Sequence, residues 1–343
     1  MGQATRAGRR ALASICGSDR SGDAGPASVR PYLGIDLGGT KTALALVTRA
    51  GEVIAHRRIE SAAARQQEGL LAACAAIGTS LARESGGVTA VGLALPGPVA
   101  GDRRRLLRAQ SLSELDGIDL VAWAEATFGA PAVADNDANA AALAEARFGA
   151  GRGARIVCYF TLSTGIGGGI VADGRLFRGA HGLAGEFGHQ KVHPHGPRCG
   201  CGGHGCLEAV ASGTAIARRA AELAARHPES LLAEAEFRRG RPLTAALVAE
   251  AVRAGDAIAI HLWEEVGEFI GIGIANAVNL FDPECVVLGG GLTGSAELFL
   301  PALQQELAAH AMPEVLPSVR VALAALGEQA GVIGAAALCF AAE

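Results

Sequence analysis

The chain lacks an excess of basic residues and a long apolar run, and each absence excludes a class of protein. Thirty Lys and Arg stand against 34 Asp and Glu, a formal net charge of -4, whereas a nucleic-acid-binding surface needs a basic patch. A membrane span needs about 18 consecutive apolar residues, and the nearest candidate, residues 269–280, is interrupted by two glycines and two asparagines. The sequence therefore predicts neither a nucleic-acid partner nor a membrane-spanning segment.

A secretory signal is also missing from the N-terminus. Residues 1–31 are rich in Arg, Ser, Gly and Ala, and their apolar piece, residues 11–16, is too short for a secretory core. We therefore expect a disordered leader over residues 1–31, a cytoplasmic location, and reduced thiols rather than disulfides at the eight cysteines. Hydrophobic residues make up 50% of the 343 residues, which predicts a sizeable core in two ordinary domains or one large one.

Two glycine-rich turns of similar design lie far apart in the chain. The first, DLGGT at residues 36–40, separates two apolar runs, and so does the second, STG at residues 163–165. Neither matches the Walker loop or the dinucleotide fingerprint, because both of those require a helix after the loop. Either turn alone fits an ordinary β-hairpin. The pair favours two phosphate-binding loops, since successive N–H groups in such turns form an anion nest.

Side chains at these two turns would also help to bind phosphate. Thr40 and Thr164 would add hydroxyl donors, and Lys41 would add a cation. Asp36 would supply a carboxylate for a hydrated magnesium ion.

Metal-binding residue types gather in the glycine-rich segment 185–208. One imidazole and three thiolates are a ligand set of tetrahedral zinc, and a closed site of this kind is structural. The candidate ligands are His189, Cys199, Cys201 and Cys206. Three other histidines of the loop are weaker candidates for metal contact: His193, His195 and His204. Because Glu186 and Glu208 flank the loop, we expect zinc to hold these two carboxylates in place.

A short acidic segment precedes a helical pattern. Asp135, Asn136 and Asp137 follow an apolar run and open the helical residues 138–148. Residues at a helix start are commonly caps. A carboxylate in the same place can also accept the proton of a sugar hydroxyl, so a cap and a general base are both compatible with the pattern.

Six motifs, in their order and spacing, resemble those of the ROK family of sugar kinases and sugar-responsive repressors. They are DLGGTK at 36–41, LPGPV at 95–99, DNDAN at 135–139, LSTGIGGG at 162–169, GEFGH at 185–189 and CGCGGHGCLE at 199–208. The resemblance runs from about residue 32 to the C-terminus. It implies an α/β fold of the two-domain actin/Hsp70/hexokinase-like (ribonuclease H-like) class, with central mixed sheets and an interdomain cleft.

The resemblance also implies domain boundaries. The N-terminal domain would cover residues 32–150, and the C-terminal helix, residues 329–343, would pack back on it. The larger C-terminal domain would cover residues 151–328 and carry the zinc loop 189–206.

Roles for individual residues follow from the same resemblance. Asp137 matches the family's catalytic base. The sugar contacts match Asn136, Asp137, Glu186, His189 and Glu208, and the metal ligands match His189, Cys199, Cys201 and Cys206. The nucleotide and phosphate contacts match Asp36, Gly38, Gly39, Thr40, Lys41, Thr164, Gly165, Gly167, Gly289, Gly290 and Gly291.

Two positions depart from the family pattern. The family commonly has Glu where Asp135 stands and Gly where Ser163 stands. We expect Asp135 to act much as the family's Glu does, because it keeps the negative charge. We expect Ser163 to have a modest effect on nucleotide affinity.

The implied activity is ATP-dependent phosphorylation of a hexose, foremost glucose to glucose 6-phosphate, by a cytoplasmic enzyme of glycolysis. Zinc would be structural and magnesium would accompany ATP. Kinases for N-acetylmannosamine, N-acetylglucosamine, glucosamine, fructose and allose share these motifs, and polyphosphate is an alternative donor to ATP. A sugar-responsive repressor is a distant alternative, because only about thirty residues precede residue 32 where a DNA-binding domain would stand. A homodimer, or a tetramer, is expected by resemblance alone.

Overall fold

The structure, a computed structural model, describes residues 30–67, 69–109, 112–234 and 242–340. The first of its two mixed sheets has the strand order β3-β2-β1-β4-β5. Its strands are β1 (Tyr32–Asp36), β2 (Lys41–Val47), β3 (Val53–Glu60), β4 (Val91–Leu95) and β5 (Ala132–Asn136). β1, β2 and β3 run antiparallel, while β1, β4 and β5 run parallel. β4 is buried along its whole length, which explains its uninterrupted apolar sequence.

The second sheet repeats this topology with the order β10-β9-β6-β7-β8. Its strands are β6 (Ile156–Leu162), β7 (Ile166–Ala172), β8 (Arg175–Leu176), β9 (Cys285–Gly289) and β10 (Arg320–Leu323). β6, β7 and β8 run antiparallel, while β6, β9 and β10 run parallel. The β1–β2 turn and the β6–β7 turn therefore occupy equivalent positions in the two sheets.

Helices cover both sheets. Around the first sheet lie α1 (Ser61–Gln67), α2 (Leu70–Glu84), α3 (Leu120–Phe128) and α4 (Asp137–Phe148). The later helices are α5 (Leu207–Ala211), α6 (Gly213–Arg226), α7 (Ala245–Arg253), α8 (Ala257–Phe281), α9 (Ala296–His310) and α10 (Ala330–Phe340). The largest buried cluster lies among the helices of the second sheet and centres on Trp263 and Phe299, whose rings stack.

The helices α4 and α10 lie between the two sheets. α4 follows the first sheet in sequence but packs on β6 and β7, while α10 follows the second sheet and packs on β1 and β4. The two helices pack against each other so closely that a Cβ at Gly334 would overlap the carbonyl of Ala140. This exchange brings the start of α4 close to the second sheet, where Ala138 faces Gly167.

One buried carboxylate fastens both segments that cross between the sheets. The chain passes from α4 to β6 near Ala150 and returns from β10 to α10 near Leu326. Glu145 is fully buried and accepts backbone hydrogen bonds from Ala150 N (2.8 Å), Ala325 N (3.1 Å) and Leu326 N (2.8 Å). Because a buried charge is costly unless it is bonded, Glu145 fixes both crossings to α4.

The predicted fold class is confirmed, since both sheets are mixed and carry helices in the α/β manner. The domain boundaries stay a prediction, and most of the predicted leader, residues 1–29, lies outside the described residues. Within the described part of the chain, no helix has the length and apolarity that crossing a membrane requires.

Candidate active site

The acidic segment lies at the end of β5 and the start of α4, and Asn136 and Asp137 have different roles in it. Asn136 caps α4: its Oδ1 accepts hydrogen bonds from Ala138 N (2.9 Å) and Asn139 N (3.2 Å). Its amide nitrogen donates to Gly97 O at 3.1 Å, so the whole side chain is held in place. Asp137 is the first residue of the helix, and its Oδ1 accepts a hydrogen bond from Ala138 N at 2.8 Å.

Asp135 lies behind this pair and binds an arginine from the second sheet. Its carboxylate is only 4% exposed, and it accepts hydrogen bonds from Arg178 Nε (2.6 Å), Asn139 Nδ2 (2.9 Å) and Asn136 N (2.9 Å). Arg178 follows β8, so this ion pair ties the second sheet to the start of α4. The sequence did not predict a role for Arg178, because nothing local indicates a partner 43 residues away.

Carboxylates from different elements face one another at this point. Burial raises the pKa of Asp36 to about 7, and the charge of Asp137 adds to the effect. Burial likewise raises the pKa of Asp137 to about 6; the bond from Ala138 N opposes the shift, and the charge of Glu186 adds to it. Burial raises the pKa of Glu186 too, with His189 opposing and Glu208 contributing. The predicted catalytic base Asp137 therefore belongs to one acidic group with Asp36, Glu186 and Glu208. Raised pKa values, here those of Asp36, Asp137 and Glu186, are common at functional sites.

The predicted first phosphate turn, residues 36–40, directs carbonyl groups toward α1. Gly38 O accepts from Ser61 Oγ (2.6 Å), and Thr40 O accepts from Ser61 N (2.9 Å). Gly39 O accepts from Arg65 Nη2 at 3.4 Å. Lys41 begins β2 and is exposed, as a residue that contacts a nucleotide phosphate would need to be.

The second phosphate turn is held in a similar way by the start of α6. Ser163 O accepts from Gly213 N (2.8 Å), and Thr164 O accepts from Thr214 N (3.2 Å) and Thr214 Oγ1 (2.9 Å). Among the described residues the hydroxyl of Thr164 has no hydrogen-bond partner, and the residue is exposed. A cavity of about 310 Å³ adjoins this turn and is lined by Thr164, Gly165, Glu208, Thr214 and Arg218 among others.

The triple glycine closes onto the second turn. Gly290 has a φ of +89°, a conformation that favours glycine, and a Cβ there would overlap the backbone of Leu162. Gly289 ends β9 against the ring of Tyr159, and Gly291 begins a 3-10 helix that runs to Ser295. The structure therefore brings the three glycines beside residues 162–163, while their predicted contact with adenosine stays a prediction.

The four predicted zinc ligands lie together. The ligand atoms of His189, Cys199, Cys201 and Cys206 are all within 4.8 Å of one another. Cys201 Sγ lies 3.6 Å from Cys206 Sγ, and Cys199 Sγ lies 3.7 Å from His189 Nδ1. Tetrahedral bonds of about 2.3 Å to zinc require ligand separations near 3.8 Å, so these residues fit the ion. Among the described residues, His193, His195 and His204 are not part of this cluster.

Charge and orientation at this loop also suit zinc. Three thiolates around a divalent ion leave one net negative charge, and Lys191 Nζ lies 2.8 Å from Cys206 Sγ. The sequence alone did not indicate a role for this lysine. His189 turns Nδ1 toward the thiols and Nε2 toward Glu186, 3.9 Å from its Oε2.

Glu208 links the metal cluster to the second phosphate turn. Its Oε1 lies 3.8 Å from Cys199 Sγ, and its Oε2 accepts a hydrogen bond from Ile166 N at 3.1 Å. Glu208 therefore connects the zinc loop directly to the β6–β7 turn. The zinc loop, the acidic group and the second turn form one continuous wall.

Comparisons with known proteins agree with this arrangement. The ROK family model matches residues 32–342. A glucokinase of Halalkalibacterium halodurans is 38% identical over 315 residues, which are 90% of this chain and 94% of that protein. An N-acetylmannosamine kinase of Salmonella heidelberg is 34% identical over 310 residues, 89% of this chain and 97% of that protein. The crystal structure of a ROK family glucokinase from Streptomyces griseus in complex with glucose and AMPPNP superposes with a TM-score of 0.76 at 36% identity, covering 90% of this chain and 98% of that one.

Proposed function

The chain belongs to the ROK family, and we propose that it is a sugar kinase that transfers the γ-phosphoryl group of ATP to glucose. Two similar glucokinases support this proposal, because each aligns with 90% of the chain. The observation that carries it within the molecule is the position of Asp137. This carboxylate stands at the start of α4, between two phosphate-type turns and beside other acidic groups, with a pKa of about 6.

In the proposed mechanism Asp137 accepts the proton of the attacking sugar hydroxyl. A base with a pKa of about 6 is ionised at neutral pH yet basic enough to accept a proton in the transition state. Phosphoryl transfer otherwise requires positioning and charge stabilisation. We assign these tasks to the N–H groups of the two turns, with Thr40, Lys41 and Thr164 as additional donors and Gly38, Gly39, Gly165 and Gly167 allowing close approach.

The remaining predicted contacts complete the assignment. Asn136, Glu186, His189 and Glu208 would hold the sugar hydroxyls, and Gly289, Gly290 and Gly291 would pack against the adenosine. A carboxylate or an imidazole held by other bonds is already oriented, so less entropy is lost when the sugar binds.

Two metal ions belong to the proposal. His189, Cys199, Cys201 and Cys206 would hold zinc, which would fix the zinc loop and supply no chemistry. Asp36 would lie beside the magnesium ion that accompanies ATP and neutralises phosphate charge. A homodimer and a cytoplasmic location, both expected from the sequence, stay predictions.

Another hexose is the main competing substrate. The similar N-acetylmannosamine kinase favours an amino sugar as the second candidate. A coupled assay of ADP release over glucose, mannose, N-acetylmannosamine, N-acetylglucosamine, glucosamine, fructose and allose separates the two. We expect the highest kcat/KM for glucose; a higher kcat/KM for an N-acetylated sugar would move the assignment to that sugar.

A further inference from the structure

We propose that Ser61 is a positioning residue for the nucleotide phosphates, although it belongs to none of the sequence motifs. It is the first residue of α1 and is fully buried. Its hydroxyl does not cap its own helix. Instead it donates to Gly38 O at 2.6 Å, across 23 residues of sequence. The inference rests on the proposed kinase function and concerns how the first phosphate turn is held.

Ser61 and Arg65 bind three successive carbonyls of that turn, those of Gly38, Gly39 and Thr40. Ser61 binds Gly38 O through its hydroxyl and Thr40 O through its amide at 2.9 Å. Arg65, one turn further along α1, donates to Gly39 O at 3.4 Å. The start of α1 therefore holds three successive peptide carbonyls on one side.

The direction of the carbonyls fixes the direction of the amides. A peptide unit is planar and trans, so the C=O of one residue and the N–H of the next point in opposite directions. The N–H groups of Gly39, Thr40 and Lys41 are consequently turned away from α1. Within the described part of the chain, the N–H groups of Gly39 and Thr40 donate to no other group. Two adjacent free donors of this kind form an anion nest.

A second buried hydroxyl supports the first. Thr42 is fully buried, and its Oγ1 lies 2.9 Å from Ser61 Oγ and 3.4 Å from Gly38 N. Because Ser61 gives its one hydroxyl hydrogen to Gly38 O, Thr42 is the donor in the Thr42–Ser61 bond, and Gly38 O, 3.4 Å from Thr42 Oγ1, is an alternative acceptor. The register of β2 and β3, which pairs Lys41 with Glu60, places both hydroxyls under the turn.

Steady-state kinetics of Ser61→Ala and Thr42→Val test this assignment. Loss of one such bond should raise the KM for ATP about tenfold in Ser61→Ala and about threefold in Thr42→Val. The KM for glucose should stay within twofold of the wild-type value, because the sugar contacts lie on other elements. Ser230→Ala is a matched control: it removes another buried hydroxyl, bonded to Asp256 at 2.8 Å, and should leave both KM values unchanged.

The proposal is overturned if the KM for ATP stays within twofold in both variants, or if the two KM values rise in parallel. If Ser61→Ala does not fold, Thr42→Val, which keeps the side-chain volume, decides the matter. Failure of the proposed function would look different, since the wild-type protein would then release no ADP. In that case the role of Ser61 would be tested by calorimetric titration with ATP. We expect Ser61→Ala and Thr42→Val to bind ATP more weakly than the wild-type protein, and equal binding would overturn the proposal.

Discussion

Replacing Asp36 by Asn should stabilise the ligand-free protein at pH 8. Burial raises the pKa of this carboxyl from 3.8 to about 7, and the charge of Asp137 contributes. No hydrogen bond to the Asp36 side chain offsets the burial within the described residues. A group whose folded-state pKa lies above its unfolded value favours the fold while it is protonated, and this stability is lost as the pH rises through the folded pKa. The native state should therefore lose stability between about pH 4 and pH 7.

The magnitude follows from the size of the shift. About three pKa units correspond to at most about 4 kcal/mol, and partial solvent access reduces the value. At roughly 2 °C per kcal/mol for a chain of this size, Asp36→Asn should raise the Tm by up to about 8 °C at pH 8 and by little at pH 4. The measurement is thermal unfolding at both pH values without magnesium or nucleotide. The control is Asp173→Asn, whose side chain is 70% exposed. A Tm that falls equally at both pH values would refute the reasoning.

Three further predictions concern the base, the crossing segments and the zinc loop. The kcat/KM for glucose should fall about tenfold per pH unit below pH 6, because Asp137 must be ionised and its pKa is about 6; a profile flat to pH 4.5 would contradict this. Glu145→Gln should lower the free energy of unfolding by about 2–5 kcal/mol in urea titrations, because an amide nitrogen would face backbone donors, whereas exposed Glu222→Gln should change it little. Cys201→Ser should lower both zinc content and Tm and weaken glucose binding; unchanged glucose affinity in zinc-free protein would show that the loop does not position the sugar-contact carboxylates.

The local sequence pattern was sufficient to predict those parts of the site whose residues lie a few positions apart in the chain. The turn at residues 36–40, the cap at Asn136 and the cysteine cluster are each encoded by residues a few positions apart, so type and spacing predicted where they lie. The equivalence of the two turns was also visible, because each sits between two apolar runs. The structure explains it by the repeated strand order of the two sheets.

The supporting contacts could not be predicted from the sequence, because they join residues that are distant in the chain. Ser61 reaches Gly38 only through the β2–β3 register, and Arg178 reaches Asp135 across 43 residues. Glu145 binds Leu326 N across 181 residues. Each is an ordinary polar residue in its local context. Their partners are set by the way α4 and α10 exchange between the sheets, which no local periodicity encodes.

The role of Asp137 as the general base is tested by the variant Asp137→Asn. The variant keeps the size of the side chain and removes its ability to accept a proton from the sugar. With glucose and ATP saturating, we expect kcat to fall about 10²–10⁴-fold, while the glucose affinity measured by calorimetry changes only a few-fold. A kcat within tenfold of the wild-type value would contradict the assignment of Asp137 as the general base, and with it the proposed mechanism.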